Sequence, residues 1–250
     1  MKSSYYKYFA ALLLFGSNGI VASNINLPSY EIVLLRLLLG SLFLITVFTV
    51  SRQRFTFYRN KHTCLYLFIS ASAMGASWML LYEAYQQVGI SIASLAYYCG
   101  PVIVMILSPF LFRETLTWPK IAGFLTVLAG MCLVNLQALD EGKTIWGLFC
   151  GLMSAFMYAL MVTANKKAKP ESGLENSLLQ LVIGSFIVVA FVSMQKNFVL
   201  SLTTIDWIPV LLLGLLNTGI GCYLYFSSIT DFPVQTVAIC GYLEPLSAVV

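Results

Sequence analysis

Val33-Leu34-Leu35, followed after Arg36 by Leu37-Leu38-Leu39, is an apolar run without alternation. A strand in a membrane barrel would alternate polar and apolar residues, whereas an apolar run of this kind reads as a helix set in lipid. The same holds for Pro209 to Leu216. Across the 250 residues, 59% are hydrophobic and only 10% are charged. A water-soluble domain carries roughly 25% charged residues to solvate its surface. With so few charges, the chain reads as an all-α polytopic membrane protein whose main partner is the lipid bilayer.

Each crossing needs about 20 mostly apolar residues. The sequence predicts nine helices, over Tyr8–Ala22, Tyr30–Val50, Cys64–Gln86, Ile90–Phe112, Trp118–Gln137, Thr144–Asn165, Leu174–Gln195, Trp207–Ser228 and Val234–Val250. Of 14 Lys and Arg residues, eleven fall at one set of helix ends, Lys143 and Lys196 fall at the other, and Arg36 lies within a span. Cytoplasmic loops retain Lys and Arg, so the amino terminus is expected in the cytoplasm. The net charge of +4 has the same origin and does not call for nucleic acid.

The six cysteines all lie in or beside apolar runs and form no CxxC pair, so neither a disulfide framework nor a metal site is expected. His62 is the lone histidine and lies in a basic loop. No phosphate-binding sequence is present, and no cofactor or catalytic set is expected.

An offset of 144 residues lays similar spans on one another. Ala93 to Pro101 meets Val237 to Pro245, and Arg36 meets Gln180, each among leucines. A repeat of five spans is odd in number, so its second copy enters the membrane from the opposite side. Inverted repeats of this kind recur in alternating-access carriers. The expected architecture is two inverted five-helix repeats, residues 1–139 and 140–250, the second lacking its last helix in this chain.

Charges within lipid cost several kcal/mol unless paired or hydrated. Arg36 and Glu83 are expected at similar depth, where they either pair, or Arg36 faces a hydrated cavity and holds an anionic or zwitterionic solute, or it reaches to the interface. Glu244 lies about ten residues into the ninth helix. A carboxyl that takes and releases a proton there would couple solute movement to a proton, or bind a cationic substrate; the plainer reading is a hydrogen bond that locks packing. Pro101 and Pro245 are expected as mid-span kinks with open carbonyls. Tyr97, Tyr98 and Tyr242 are candidates for an aromatic pocket, while Tyr82 and Tyr85 fit an interfacial belt better. Asn18 and Gln180 add neutral hydrogen-bonding groups that would bind solute or join helices.

Three stretches carry a resemblance: Glu31-Ile-Val-Leu-Leu-Arg36; Tyr82 through Pro101; and Ser108-Pro-Phe-Leu-Phe-Arg-Glu114-Thr-Leu-Thr-Trp118 followed by the Gly123 to Gly130 helix. With these, the chain resembles the EamA-like carriers of the drug/metabolite transporter superfamily. The resemblance implies ten helices in two inverted repeats, a central cavity lined by both halves, and movement of a small metabolite across a bacterial cytoplasmic membrane. Glu114, beside Arg113 at the cytoplasmic end, is expected to cap or pair rather than bind solute. An amino acid or similar amphipathic solute is the expected small-molecule substrate. The rival is a non-transporting or inactive membrane protein with the same fold.

Overall fold

The computed structural model describes residues 2–135, 145–194 and 207–249, whose regular elements are all helical, with no strand among them. The expected helix ends at Gln137, Thr144, Gln195 and Val250 lie outside the described residues. Among the described residues, five stretches are long and apolar enough to cross a bilayer: Ser29–Val50, Lys61–Phe112, Ile145–Ala168, Gly173–Ser193 and Trp207–Asp231. The chain is a multi-spanning all-α membrane protein.

The first expected span is two helices, α1 (Lys2–Gly16) and α2 (Asn18–Ser23). The break is bridged by Asn217, whose Nδ2 donates to the Leu14 carbonyl and to Asn18 Oδ1, at 2.9 and 3.0 Å. At the break the Leu14 carbonyl accepts from the Ser17 N–H and hydroxyl, at 3.2 and 2.7 Å, and Asn217 adds a donor from across the bundle. At Gly16 a Cβ would meet the Glu244 carbonyl at 2.8 Å, so α1 approaches the helix at Leu243–Val249 closely only because the residue is glycine.

α3 (Ser29–Val50) starts after Pro28, whose extended backbone cannot continue a helix. α4 runs Lys61–Tyr97 with one non-helical residue, Gly89, at φ 78 and ψ 163. Only glycine takes that conformation without strain. Ser94 Oγ lies 3.5 Å from Tyr85 OH. Nine residues of straight helix would separate their backbones by about 13.5 Å. The chain therefore turns back at Gly89, and the expected boundary between Gln86 and Ile90 is a turn inside one long helical stretch.

The expected fourth helix is broken. After Tyr98 and Cys99 the chain restarts as α5 (Gly100–Phe112), with Pro101 in its first turn. Pro101 is thus not the mid-span kink the sequence suggested. A helix start has no intrahelical acceptor for that N–H, so proline is tolerated there without a lost bond. The ninth helix divides in the same way into α11 (Val234–Gly241) and α12 (Leu243–Val249). Pro245 falls in the first turn of α12 for the same reason. Between them stand α6 (Trp118–Asn135), α7 (Ile145–Ala168), α8 (Gly173–Ser193), α9 (Trp207–Leu211) and α10 (Gly221–Phe226). A π-helical stretch, Leu212–Ile220, joins α9 to α10.

Small residues and reciprocal hydrogen bonds set the packing, as expected where lipid gives no hydrophobic drive between helices. Ser77 and Ser154 each donate to the other's carbonyl, at 2.9 and 2.8 Å, pinning α4 to α7. α3 crosses α8 where Ser41 Oγ meets Ser185 Oγ at 2.9 Å. Gly214 and Gly219 lie where a Cβ would come within 2.7 Å of Leu39 and Phe43, which presses the π-helical stretch against α3.

Candidate functional site

A cavity of about 420 Å³ opens between these helices. Ser23, Gln86 and Ile90 are exposed at its mouth. On α4 its lining starts at Met74 and continues toward Gly89; on α3 it includes Ile32 and Arg36. Arg36, Met74 and Met161 are therefore its deepest residues on those helices and on α7.

Arg36 is only 4% exposed. Its Nε donates to Thr218 Oγ1 at 2.9 Å, its Nη1 donates to Tyr82 OH at 3.3 Å, and its guanidinium carbon stands 4.2 Å from the Trp78 ring centroid. A weakly hydrated planar cation stacked on indole tolerates burial better than a point charge would. Thr218 reaches it from the π-helical stretch, where the Thr218 hydroxyl also lies 2.7 Å from the Leu213 carbonyl, five residues back. Such bulges commonly mark functional positions because they re-aim side chains. Two of the guanidinium's five N–H groups are occupied in this way, so donors remain for a carboxylate.

The anticipated Arg36–Glu83 pair does not form. Glu83 is half-buried and accepts from Gln87 Nε2 at 3.1 Å. Successive residues on a helix point about 100° apart, and it is Tyr82 that α4 turns toward Arg36. Tyr82 and Tyr85, expected in an interfacial belt, both line the cavity with ring centroids 5.3 Å apart.

The remaining wall is aromatic. Tyr97 meets Tyr158 edge-on at 5.5 Å, and Tyr158 OH lies 3.3 Å from Tyr225 OH. Tyr98, Asn18 and Glu244 also line the cavity. Glu244 is half-buried and comes from α12, so α1 and α12 both reach one chamber. Arg36 and Glu244 are its two charged lining residues among those described.

Two sequence candidates lie elsewhere. Tyr242 is 2% exposed and packs with Met105 and Phe124; its hydroxyl donates to the Tyr98 carbonyl at 3.0 Å. It closes the break before α5 instead of facing solute. Gln180 is fully buried on α8 and is not part of the lining. Thr218 is not legible in the sequence, because a threonine in an apolar run has no signal of its own.

Beyond the floor the molecule is closed by polar contacts. Asn165 and Asn176 exchange side-chain hydrogen bonds of 2.9 and 3.1 Å. Lys166 Nζ donates to the Ile229, Thr230 and Phe232 carbonyls, at 3.4, 2.5 and 2.5 Å. Glu114 accepts from the Val234 and Gln235 amides at 2.7 and 3.0 Å, satisfying free donors at the start of α11. Glu175 likewise accepts from the Thr56 and Phe57 amides at 2.6 and 2.9 Å.

Comparison with known proteins gives this geometry a family. The chain is 26% identical over 251 residues to the transporter YxxF of Bacillus subtilis, covering 98% of this chain and 79% of that one. It is 26% identical over 257 residues to the Bacillus subtilis transporter YetK, covering 99% and 78%. A biotin transporter of Salmonella typhimurium matches at 22% over 188 residues, covering 74% and 62%. A solved crystal structure superposes with a TM-score of 0.79 at 18% identity, over 99% of this chain and 86% of the other, which speaks to the fold alone. The profile of the EamA-like transporter family matches residues 3–136 and 145–250. The chain belongs to that family, within the drug/metabolite transporter superfamily, and is a transporter and not an enzyme.

Proposed function

We propose that the protein is a secondary carrier for a small amphipathic solute bearing a carboxylate, an amino acid being the simplest example. The observation that carries this is Arg36: a desolvated guanidinium, stacked on Trp78 and held by Thr218 and Tyr82, with donors to spare in an aromatic chamber. The carboxylate meets Arg36, the apolar part lies against Tyr97, Tyr98 and Tyr158, and Asn18 and Glu244 receive the cationic or polar end. Biotin, which a relative's name gives as cargo, is a carboxylate with a polar ring and suits the same chemistry. Glu244, beside the solute, is the group that would take a proton during the cycle.

Transport then follows from alternating access between two inverted repeats, residues 1–139 and 140–250. Two hydrogen bonds support that division: Ser41–Ser185 and Tyr98–Tyr242 each join residues 144 positions apart, the separation read from the repeat. Under a two-fold operation, residues near the axis meet their own mates. The membrane is the bacterial cytoplasmic membrane with the amino terminus in the cytoplasm, so the open mouth faces outward. Uptake of radiolabelled amino acids and biotin by proteoliposomes tests this reading. Wild type is expected to carry at least one of them, with loss on Arg36→Ala and altered pH dependence on Glu244→Gln. A reconstituted, folded wild type that moves none of them would favour an inactive protein of the same fold.

A further inference from the structure

Gln180 stands 144 positions from Arg36, is fully buried, and leaves its Nε2 without a hydrogen-bond partner among the described residues. Turning the amide over does not help. Only Ser70 Oγ reaches it, at 3.2 Å from Oε1, so one of the two polar atoms is orphaned either way. An unmet buried donor costs about 1–3 kcal/mol, and a leucine would fit an apolar interior better. Its tolerance calls for a reason beyond packing.

The surroundings supply one. Ser70 also lies 2.9 Å from the Met161 carbonyl, and it sits one helical turn beyond Met74 on α4. Met74 and Met161 both line the cavity floor. Gln180 is thus a layer behind that floor, on the closed side. Arg36 meets Thr218, Tyr82 and Trp78. The positions 144 away from those three are Met74, Phe226 and Cys222, all of which line the cavity wall. Where Arg36 meets two hydroxyls and an indole, the positions equivalent by the repeat are Met74, Phe226 and Cys222, and Gln180 Nε2 stays unpaired among the described residues.

We propose that Gln180, with Ser70, is the solute-recognition position of the opposite-facing state, uncovered toward the Lys2 end of the molecule when the present cavity closes. This rests on the carrier reading above. The solute carboxylate is then held by a cation on one side and by a neutral amide on the other. Charge-assisted hydrogen bonds are roughly twice as strong as neutral ones, so binding is tighter at the Arg36 side and release is favoured at the Gln180 side. The chemistry is that of a carboxylate or carboxamide acceptor meeting an amide donor and a hydroxyl.

The test uses a cysteine-free full chain in proteoliposomes, with Gln180→Cys and Ser70→Cys as separate variants and Ser94→Cys as the cavity control. A membrane-impermeant thiol reagent is applied to each face, with and without a mixture of amino acids and biotin. Expected is labelling of Ser94→Cys from the cavity face and of Gln180→Cys or Ser70→Cys from the Lys2 face, the latter slowed by the mixture. Two outcomes overturn the proposal. One is a reactive Ser94→Cys with both deeper variants inert in folded protein. The other is their labelling from the cavity face, or labelling that the mixture leaves unchanged while it protects Ser94→Cys. Flux by wild type decides the carrier reading separately, since inert deep cysteines in a protein that carries solute remove only the Gln180 role.

Discussion

At the residue scale the decisive fact is how Arg36 survives burial. Its charge is spread over a plane that lies on Trp78 while two hydroxyls take its hydrogen bonds. Lysine keeps the charge and loses the plane and the fork. Arg36→Lys is therefore expected to fold and to carry solute poorly. Losing one charge-assisted hydrogen bond of the fork to the solute carboxylate costs about 2 kcal/mol, so the half-saturation concentration should rise about 30-fold. Flux measured against solute concentration checks this. Tyr82→Phe removes a single longer hydrogen bond, at 3.3 Å, and is expected to cost about fivefold or less in the same assay. If Tyr82→Phe proved worse than Arg36→Lys, the tyrosine and not the cation would be the recognition group.

At the element scale, breaks in helices do more than their lengths. The interruptions at Ser17, Gly89, Tyr98–Cys99 and Tyr242, with the π-helical stretch, all adjoin residues of the cavity or its floor. Close approach of α1 and α12 depends on Gly16, and Gly16→Val would drive a branched side chain into the Glu244 backbone and the Ser247 side chain. Overpacking of this kind costs about 1–3 kcal/mol. A lower thermal midpoint in detergent is expected, with flux falling as Glu244 is displaced. Glu114→Gln is milder: it weakens two charge-assisted bonds to α11 by about 1–2 kcal/mol, read by the same melting assay. These breaks also mark where sequence reading stops. Apolar runs locate helices, and the depth of Arg36 and the aromatic character of Tyr97 and Tyr98 point to the chamber. Rotation about a helix axis is not encoded locally in a span that is apolar all round. The sequence therefore does not tell which of Tyr82 and Glu83 faces Arg36, nor that Tyr242 backs away from the cavity. The π-helical stretch that delivers Thr218 has no compositional mark at all.

At the scale of the whole molecule, the two contacts between repeat mates carry the mechanical consequence. If the halves exchange conformations about an axis through Ser41–Ser185, the separation of that pair stays constant through the cycle while residues at the mouth approach and part. Hydroxyl oxygens 2.9 Å apart leave room for two sulfurs whose β-carbons need about 3.5–4.5 Å between them. In a cysteine-free background, Ser41→Cys with Ser185→Cys is expected to cross-link under mild oxidation, shown by a mobility shift that a reductant reverses. Cross-linked protein should still carry solute, because a tether at a pivot opposes no motion. A tether off the axis would lock one state and abolish flux. If the oxidised double variant is folded, cross-linked and inactive while its reduced form is active, α3 must slide along α8 during transport. The rocking of two rigid halves would then have to be replaced by movement of α3 within its own half.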